Sequence, residues 1–398
     1  MSVTEPPRKP RGRQFFANPG PTNIPDSVLQ AVSHATVDFN GPDFLEVYDA
    51  CFAGLKRVLR TEQHLFMYTG SGHAAWEATL TNLLSAGDRV LIIETGHFSE
   101  SWGRMAADLG VEVETLTADW RRGLDYAALR DALAADTAHR LKAVCAVHNE
   151  TSTGMTLDLP RIRAVLDETR HAALLMADII SSLGSIDFRM DEWGVDAAVG
   201  GSQKGLMLPV GFSFSAVSEK AMAAHAASKL PKHYFNWTSM LGRRHRSFIG
   251  TVPIALFYGL QESLRLIEEE GLENVLARHH RLAEAVRRCV RHWSGNDGPQ
   301  LFCLSPERVS DSVTSILVPE GCDAEALRRR LATMNVGLGT GLGRLQGKVF
   351  RIGHLGDLNE PMILGTLAAT EVGMRLEGMP HAPGGVDAAM AWLAETAR

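Results

Sequence analysis

Uninterrupted apolar runs, each followed by an amphipathic stretch, recur along the first half of the chain. Arg89–Ile93, Val111–Thr115, Ala143–Val147 and Ala172–Ala177 read as strands, with Phe98–Leu109, Asp125–Ala134 and Leu159–His171 as the helices between them. A strand that is apolar at every position is covered on both faces, so the alternation predicts a mostly parallel sheet between two helical layers. A short strand at Leu65–Tyr68 leads into an alanine-rich helix, and Phe212–Val217 precedes a helix from Glu219. Helical periodicity resumes over Ile254–Glu270 and Leu272–Trp293. His279 and His280 lie on the second of these; adjacent positions do not share a face, and both are expected at the surface. The last stretch changes character: strand Ser312–Val318, helix Ala324–Met334, a glycine-rich loop Gly337–Gly343 and strand Lys348–Gly353. The predicted organisation is a mobile arm (1–14), a large α/β domain (15–270) and a smaller α+β domain (271–398).

Composition narrows the function classes. The chain has 398 residues, 45% of them hydrophobic and 22% charged, enough for a full core. Its net charge of −6 and lack of a basic face argue against nucleic acid as a partner. Cys51, Cys145, Cys289, Cys303 and Cys322 form no CxxC pair, which suits a reducing cytoplasm and argues against zinc or a disulfide framework. No apolar run approaches the ~20 residues that span a bilayer. The arm carries Arg8, Lys9, Arg11 and Arg13 with no apolar stretch behind them, unlike a secretory signal.

The chemistry gathers where strands are expected to end. Gly200-Gly201-Ser202-Gln203-Lys204-Gly205 follows the apolar run Val195–Val199. A strongly hydrated lysine fenced by small residues there reads either as a turn residue or as a Schiff-base amine for an aldehyde cofactor. Gly70-Ser71-Gly72-His73 before a helix has the build of a phosphate cradle, or of an ordinary strand-to-helix turn; it is neither GxGxxG nor a Walker loop. Thr151 follows another strand, and Asp178 ends a third with no second carboxylate or histidine at metal-ligand spacing. A buried carboxylate needs a cationic partner, and a protonated pyridine nitrogen would serve. Ligands of parallel sheets bind outside the carboxyl ends of the strands, where Ser71, Thr151, Asp178 and Lys204 converge. Arg351, mid-strand among apolar residues, is either a structural ion pair or a clamp for a substrate carboxylate. The basic cluster Arg243-Arg244-His245-Arg246 reads as a solvated loop.

These motifs together resemble the class V, fold-type I aminotransferases, in particular the alanine–glyoxylate and serine–glyoxylate enzymes. The resemblance runs from Asn18 to about Gly373 and rests on Pro19-Gly20-Pro21-Thr22-Asn23, Gly70-Ser71-Gly72-His73, Glu150-Thr151-Ser152-Thr153-Gly154, Asp178-Ile179-Ile180-Ser181-Ser182-Leu183-Gly184, Gly201-Ser202-Gln203-Lys204, Thr251-Val252-Pro253 and Lys348-Val349-Phe350-Arg351-Ile352-Gly353. It implies a mostly parallel seven-stranded sheet, pyridoxal 5'-phosphate as cofactor, no metal, and a cytoplasmic homodimer with composite sites. By the same resemblance Lys204 carries the cofactor and moves the proton, and Asp178 pairs with the ring nitrogen. Ile180 and Phe98 take the two ring faces, and Thr151 reaches the ring hydroxyl region. Ser71, Gly72, His73 and Gln203 line the cofactor near its phosphate, and Thr251 reaches the phosphate from the neighbouring subunit. Arg351, helped by backbone near Gly20, binds the α-carboxylate.

The implied reaction passes an amino group from alanine, serine or a similar small donor to glyoxylate or another small 2-oxo acid, with ping-pong kinetics. Pyruvate is the alternative acceptor. The chain departs from the serine–glyoxylate pattern at Asp38-Phe39-Asn40-Gly41-Pro42, where relatives often read Asp-His-Arg-Ser-Pro, and has Phe248 where some have tyrosine. With the arginines near Arg243, the first departure leaves an acidic donor such as aspartate as an alternative. A class V lyase of the cysteine desulfurase type is a rival that would need Cys303 or Cys322 as nucleophile. A non-catalytic regulatory module is another, for which the arm before Phe15 is too short to carry a DNA-binding appendage.

Overall fold

The computed structural model describes residues 11–397; positions 1–10 of the expected N-terminal arm and Arg398 lie outside them. Among the described residues fourteen strands follow in chain order: β1 (Phe15–Ala17), β2 (His64–Gly70), β3 (Arg89–Glu94), β4 (Glu112–Thr117), β5 (Leu141–Val147), β6 (Asn149–Glu150), β7 (Met155–Thr156), β8 (Leu174–Asp178), β9 (Ala197–Gly201), β10 (Gly211–Val217), β11 (Gln300–Leu301), β12 (Val313–Leu317), β13 (Val336–Thr340) and β14 (Val349–Gly353). Seven form one sheet in the order β2-β10-β9-β8-β5-β3-β4. Every pair from β9 to β4 is parallel, whereas β10 runs antiparallel to both β9 and β2. Six strands therefore point one way and β10 alone opposes them, so β2, β5, β8 and β9 end at the same rim.

The strands are apolar at nearly every position because the sheet feeds two cores. Leu91, Ile93, Val144, Ala146, Leu175 and Ala177 pack into one. Their neighbours Val90, Ile92, Ala143, Cys145, Leu174 and Met176 pack into the other. The period of two along a strand assigns alternate residues to opposite faces, and here both faces are covered. Side-chain caps start the connecting helices: Asp125 accepts from the Ala127 amide and Asp158 from the Arg161 amide.

A second sheet has the order β1-β13-β14-β12-β11. Its core joins Ile316, Leu338, Phe350 and Ile352 to the helices Leu272–Trp293, Ala324–Ala332, Glu360–Leu376 and Gly385–Glu395. β1, from the head of the chain, pairs in parallel with β13. Among the described residues no helix is long and apolar enough to cross a membrane.

Three sequence expectations need correction. His279 is fully buried: its Nδ1 lies 2.7 Å from the Val275 carbonyl and its Nε2 accepts from the Gly356 amide at 3.0 Å. His280 alone is solvent-facing, beside Asp311. The glycine run 337–343 is not all loop, since its first half is strand β13; a Cβ at Gly339 would lie 2.7 Å from Pro19 Cδ and 3.1 Å from Arg351 Cβ. Bare backbone there lets two segments press against the strand, a requirement that composition does not reveal. The Arg243–Arg246 cluster is partly ordered: Arg244–Ser247 form a 3₁₀ turn, with Arg244 ion-paired to Asp49.

Candidate active site

A cavity of about 250 Å³ opens at the rim where β2, β5, β8 and β9 end. Of the residues expected at a cofactor site, Gly20, Gly72, His73, Phe98, Thr151, Asp178, Ile180, Gln203 and Lys204 line it. Lys204 enters on the turn after β9, which is closed by hydrogen bonds from the Met207 amide to the Lys204 carbonyl (2.9 Å) and from the Leu208 amide to the Ser202 carbonyl (3.2 Å). Thr22 Oγ1 donates to the same Lys204 carbonyl. The Lys204 amine donates to the Pro19 carbonyl at 2.6 Å. Any side chain at Gly20 (φ 132°) would overlap that amine.

Burial pushes the Lys204 amine down to about 8; the Arg351 charge acts the same way and Asp178 opposes it. Asp178 ends β8 as a buried carboxylate, its Oδ2 accepting from the Trp76 indole N–H at 2.9 Å and its Oδ1 from the Ile180 amide at 2.7 Å. Burial raises it to about 7 against the pull of those two donors. Among the described residues the partners of the Asp178 carboxylate are these two neutral donors, and no ion pair joins it to a cation. An amine and a carboxylate thus share one cavity, each partly stripped of water and neither neutralised by the other.

The other end of the cavity suits an anion. The helix Gly72–Leu83 begins there, and its N-cap Ser71 makes no capping bond with its side chain. The N-terminus of a helix offers free amides and the positive end of its dipole. Gln203 buries its Oε1 with no hydrogen-bond partner, and a half-turn of the amide would present two donors instead. A Cβ at Gly72 would overlap the tip of Ile180, so the glycine keeps this corner open. These groups fit pyridoxal phosphate: an amine for its aldehyde, an acid for its ring nitrogen and a helix end for its phosphate.

Arg351 is only 6% exposed on β14. Its Nε donates to the Thr340 carbonyl (2.7 Å) and its Nη1 to the Thr151 carbonyl (3.0 Å). Burial lowers it to about 10, with the Glu150 charge working the other way. The partners are carbonyls rather than carboxylates, so among the described residues the structural ion pair open from sequence is absent. A buried guanidinium with no ion pair there is instead ready for an incoming carboxylate. Arg351, Ser71 and Thr251 do not line the cavity themselves; Thr251 is exposed, in the segment before the helix Ile254–Glu270.

Sequence reasoning missed Trp76, which lines the cavity, holds Asp178 and stacks on Trp102 with ring centroids 5.7 Å apart. The usable signal was its spacing, one helical turn after Gly72 on the face that meets the rim. Asn149 and Ser181, joined at 2.8 Å, were missed as lining residues as well.

Comparison with known proteins agrees with this geometry. The family model for aminotransferase class-V matches residues 14–345. An L-aspartate–glyoxylate aminotransferase of Paracoccus denitrificans is 44% identical, with 91% of each chain covered. A serine–glyoxylate aminotransferase of Methylorubrum extorquens is 43% identical over 98% of each chain. Among solved structures, an alanine–glyoxylate aminotransferase of Nostoc sp. superposes with a TM-score of 0.83 at 32% identity, covering 94% of this chain and 97% of that one. Fold and cavity thus define a fold-type I enzyme that takes pyridoxal phosphate. Within that class the chain belongs to the class-V aminotransferases.

Proposed function

We propose that this enzyme transfers the amino group of a small amino acid such as alanine or serine to glyoxylate or another small 2-oxo acid, in a ping-pong sequence. The observation that carries the reading is the placing of Lys204 and Asp178 in one cavity, with the unpaired guanidinium of Arg351 tied to that cavity's wall at Thr151. Pyridoxal phosphate supplies a carbonyl for imine formation and a ring that accepts electrons. Arg351 then orients the substrate by its carboxylate, so that the α-C–H bond points toward Lys204. Lys204, partly unprotonated near neutral pH because burial lowers it, would take that proton and deliver it to the carbon that had been the cofactor's aldehyde. Asp178 would keep the ring nitrogen protonated. Trp76 and the Ile180 amide keep that carboxylate aimed.

Phe98 and Ile180 would cover the two ring faces. Thr151 would reach the ring hydroxyl, and Ser71, Gly72, His73 and Gln203 would hold the phosphate. In this reading Thr251 completes the phosphate site of a second copy, making a cytoplasmic homodimer, and backbone at Gly20 assists Arg351.

An acidic donor is the second reading, favoured by the aspartate–glyoxylate relative and by the basic turn at Arg243. Arg244 is committed to Asp49, which leaves Arg243 as the residue to test. The desulfurase reading is disfavoured. Neither Cys303 nor Cys322 lines the cavity, and burial pushes the Cys303 thiol up, away from the reactive thiolate.

The test mixes the purified holoenzyme with single amino acids and follows the cofactor absorbance, then adds glyoxylate or pyruvate. Bleaching by alanine or serine and recovery with glyoxylate are expected. If no small or acidic donor bleaches the band, the reading falls. Bleaching by aspartate that Arg243→Ala abolishes would establish the acidic donor.

A further inference from the structure

Glu150 is fully buried, and both of its carboxylate oxygens are occupied. Oε2 accepts from the amides of Phe98 (3.0 Å) and Ser99 (3.1 Å). Oε1 accepts from the amide (3.1 Å) and the hydroxyl (2.7 Å) of Ser152. Ser152 Oγ in turn accepts from the His97 amide at 3.0 Å. The first amides of the helix His97–Asp108 are therefore capped by a segment some fifty positions away, not by its own N-cap, Gly96. A Cβ at Gly96 would overlap Glu150 and Ser152, so that glycine is what admits the carboxylate. Three of the four donors are backbone amides, which can only donate, and only the Ser152 hydroxyl could turn to accept a proton from Glu150. The geometry fits the ionised form, although burial pushes this carboxyl up.

Two consequences meet in the cavity. Phe98 is the second residue of the capped helix, so its ring is set by the cap. Thr151, next in chain to Glu150, presents the carbonyl that receives Arg351 Nη1. We propose that Glu150 is a positioning residue, a carboxylate cap that fixes Phe98 over the cofactor and, through Thr151, the orientation of Arg351. The proposal rests on the reading above, in which Phe98 and Arg351 face cofactor and substrate.

The experiment uses holoenzyme carrying Glu150→Gln. A glutamine cannot accept at all four donors, so the visible circular dichroism of the bound cofactor should fall by more than about twofold. KM for glyoxylate should rise roughly tenfold with little change in kcat, as expected for lost substrate binding rather than lost chemistry. A merely structural role would lower the active fraction, and so the apparent kcat, without raising KM.

Ser152→Ala keeps the charge and removes one donor together with the His97 acceptor. It should weaken the dichroism with a smaller rise in KM, and it remains informative if Glu150→Gln does not fold. Dichroism and KM like the parent's in both variants would overturn the proposal. Arg351→Lys separates the two readings: if it raises KM while Glu150→Gln does not, only this proposal fails. If Arg351→Lys also leaves KM unchanged, the functional reading fails with it.

Discussion

Replacing Arg351 with lysine keeps a positive charge on β14 but removes the planar fork. The guanidinium spends Nε on Thr340 and one Nη1 bond on Thr151, leaving Nη2 for a substrate carboxylate. A lysine ammonium cannot hold both carbonyls and still present a paired donor face. One charge-assisted hydrogen bond is worth about 1.5–3 kcal/mol, so kcat/KM should fall by about 10- to 150-fold. The loss should appear equally for glyoxylate and for the amino donor, because both offer an α-carboxylate to the same group. Steady-state kinetics with each substrate varied in turn measures it, and the cofactor spectrum should stay unchanged. A fall below about threefold, or a fall confined to one substrate, would refute Arg351 as the shared anchor.

Three further outcomes follow from the same geometry. Trp76→Phe leaves an oxygen of Asp178 without its indole donor, pushing the acid above about 7 and weakening cofactor binding by about 5- to 150-fold. Titration of apoenzyme should also show affinity failing at a higher pH than in the parent as pH is lowered, and an unchanged profile would count against the role given to Asp178. The rate at which apoenzyme takes up pyridoxal phosphate should rise with pH as the free Lys204 amine loses its proton and level off above about 8; a plateau delayed beyond pH 10 would mean that burial does not tune the amine. Gly200→Ala drives a methyl into the ring of Phe214 across the β9–β10 pair and should cost about 1–3 kcal/mol in denaturant unfolding, whereas a neutral result would contradict the packing of that pair.

Much of this architecture was legible because parallel strands buried on both faces leave an unmistakable apolar text, as at Ala143–Val147. Their polar ends marked the rim, and of the four residues read that way Thr151, Asp178 and Lys204 line the cavity while Ser71 does not. The reversal at β10 was not legible: Phe212–Val217 reads like its neighbours, and only its register with Gly70 and Gly201 reveals the direction. His279 escaped because periodicity along a helix does not say that a second element covers that face; here Gly356 does so. Trp76 and Glu150 escaped for a related reason. Their partners, Asp178 and the Phe98 amide, lie 102 and 52 positions away, and such contacts are made by the fold rather than by local sequence. Thr251 is exposed in the single chain, so its reading depends on a second copy.

Reduction of the yellow holoenzyme with borohydride, followed by peptide mapping, tests the central claim most directly. The account predicts a single pyridoxyl group fixed to the Lys204 side chain, with none in a Lys204→Ala variant. A modified peptide lacking Lys204, or no fixed cofactor at all, would contradict it.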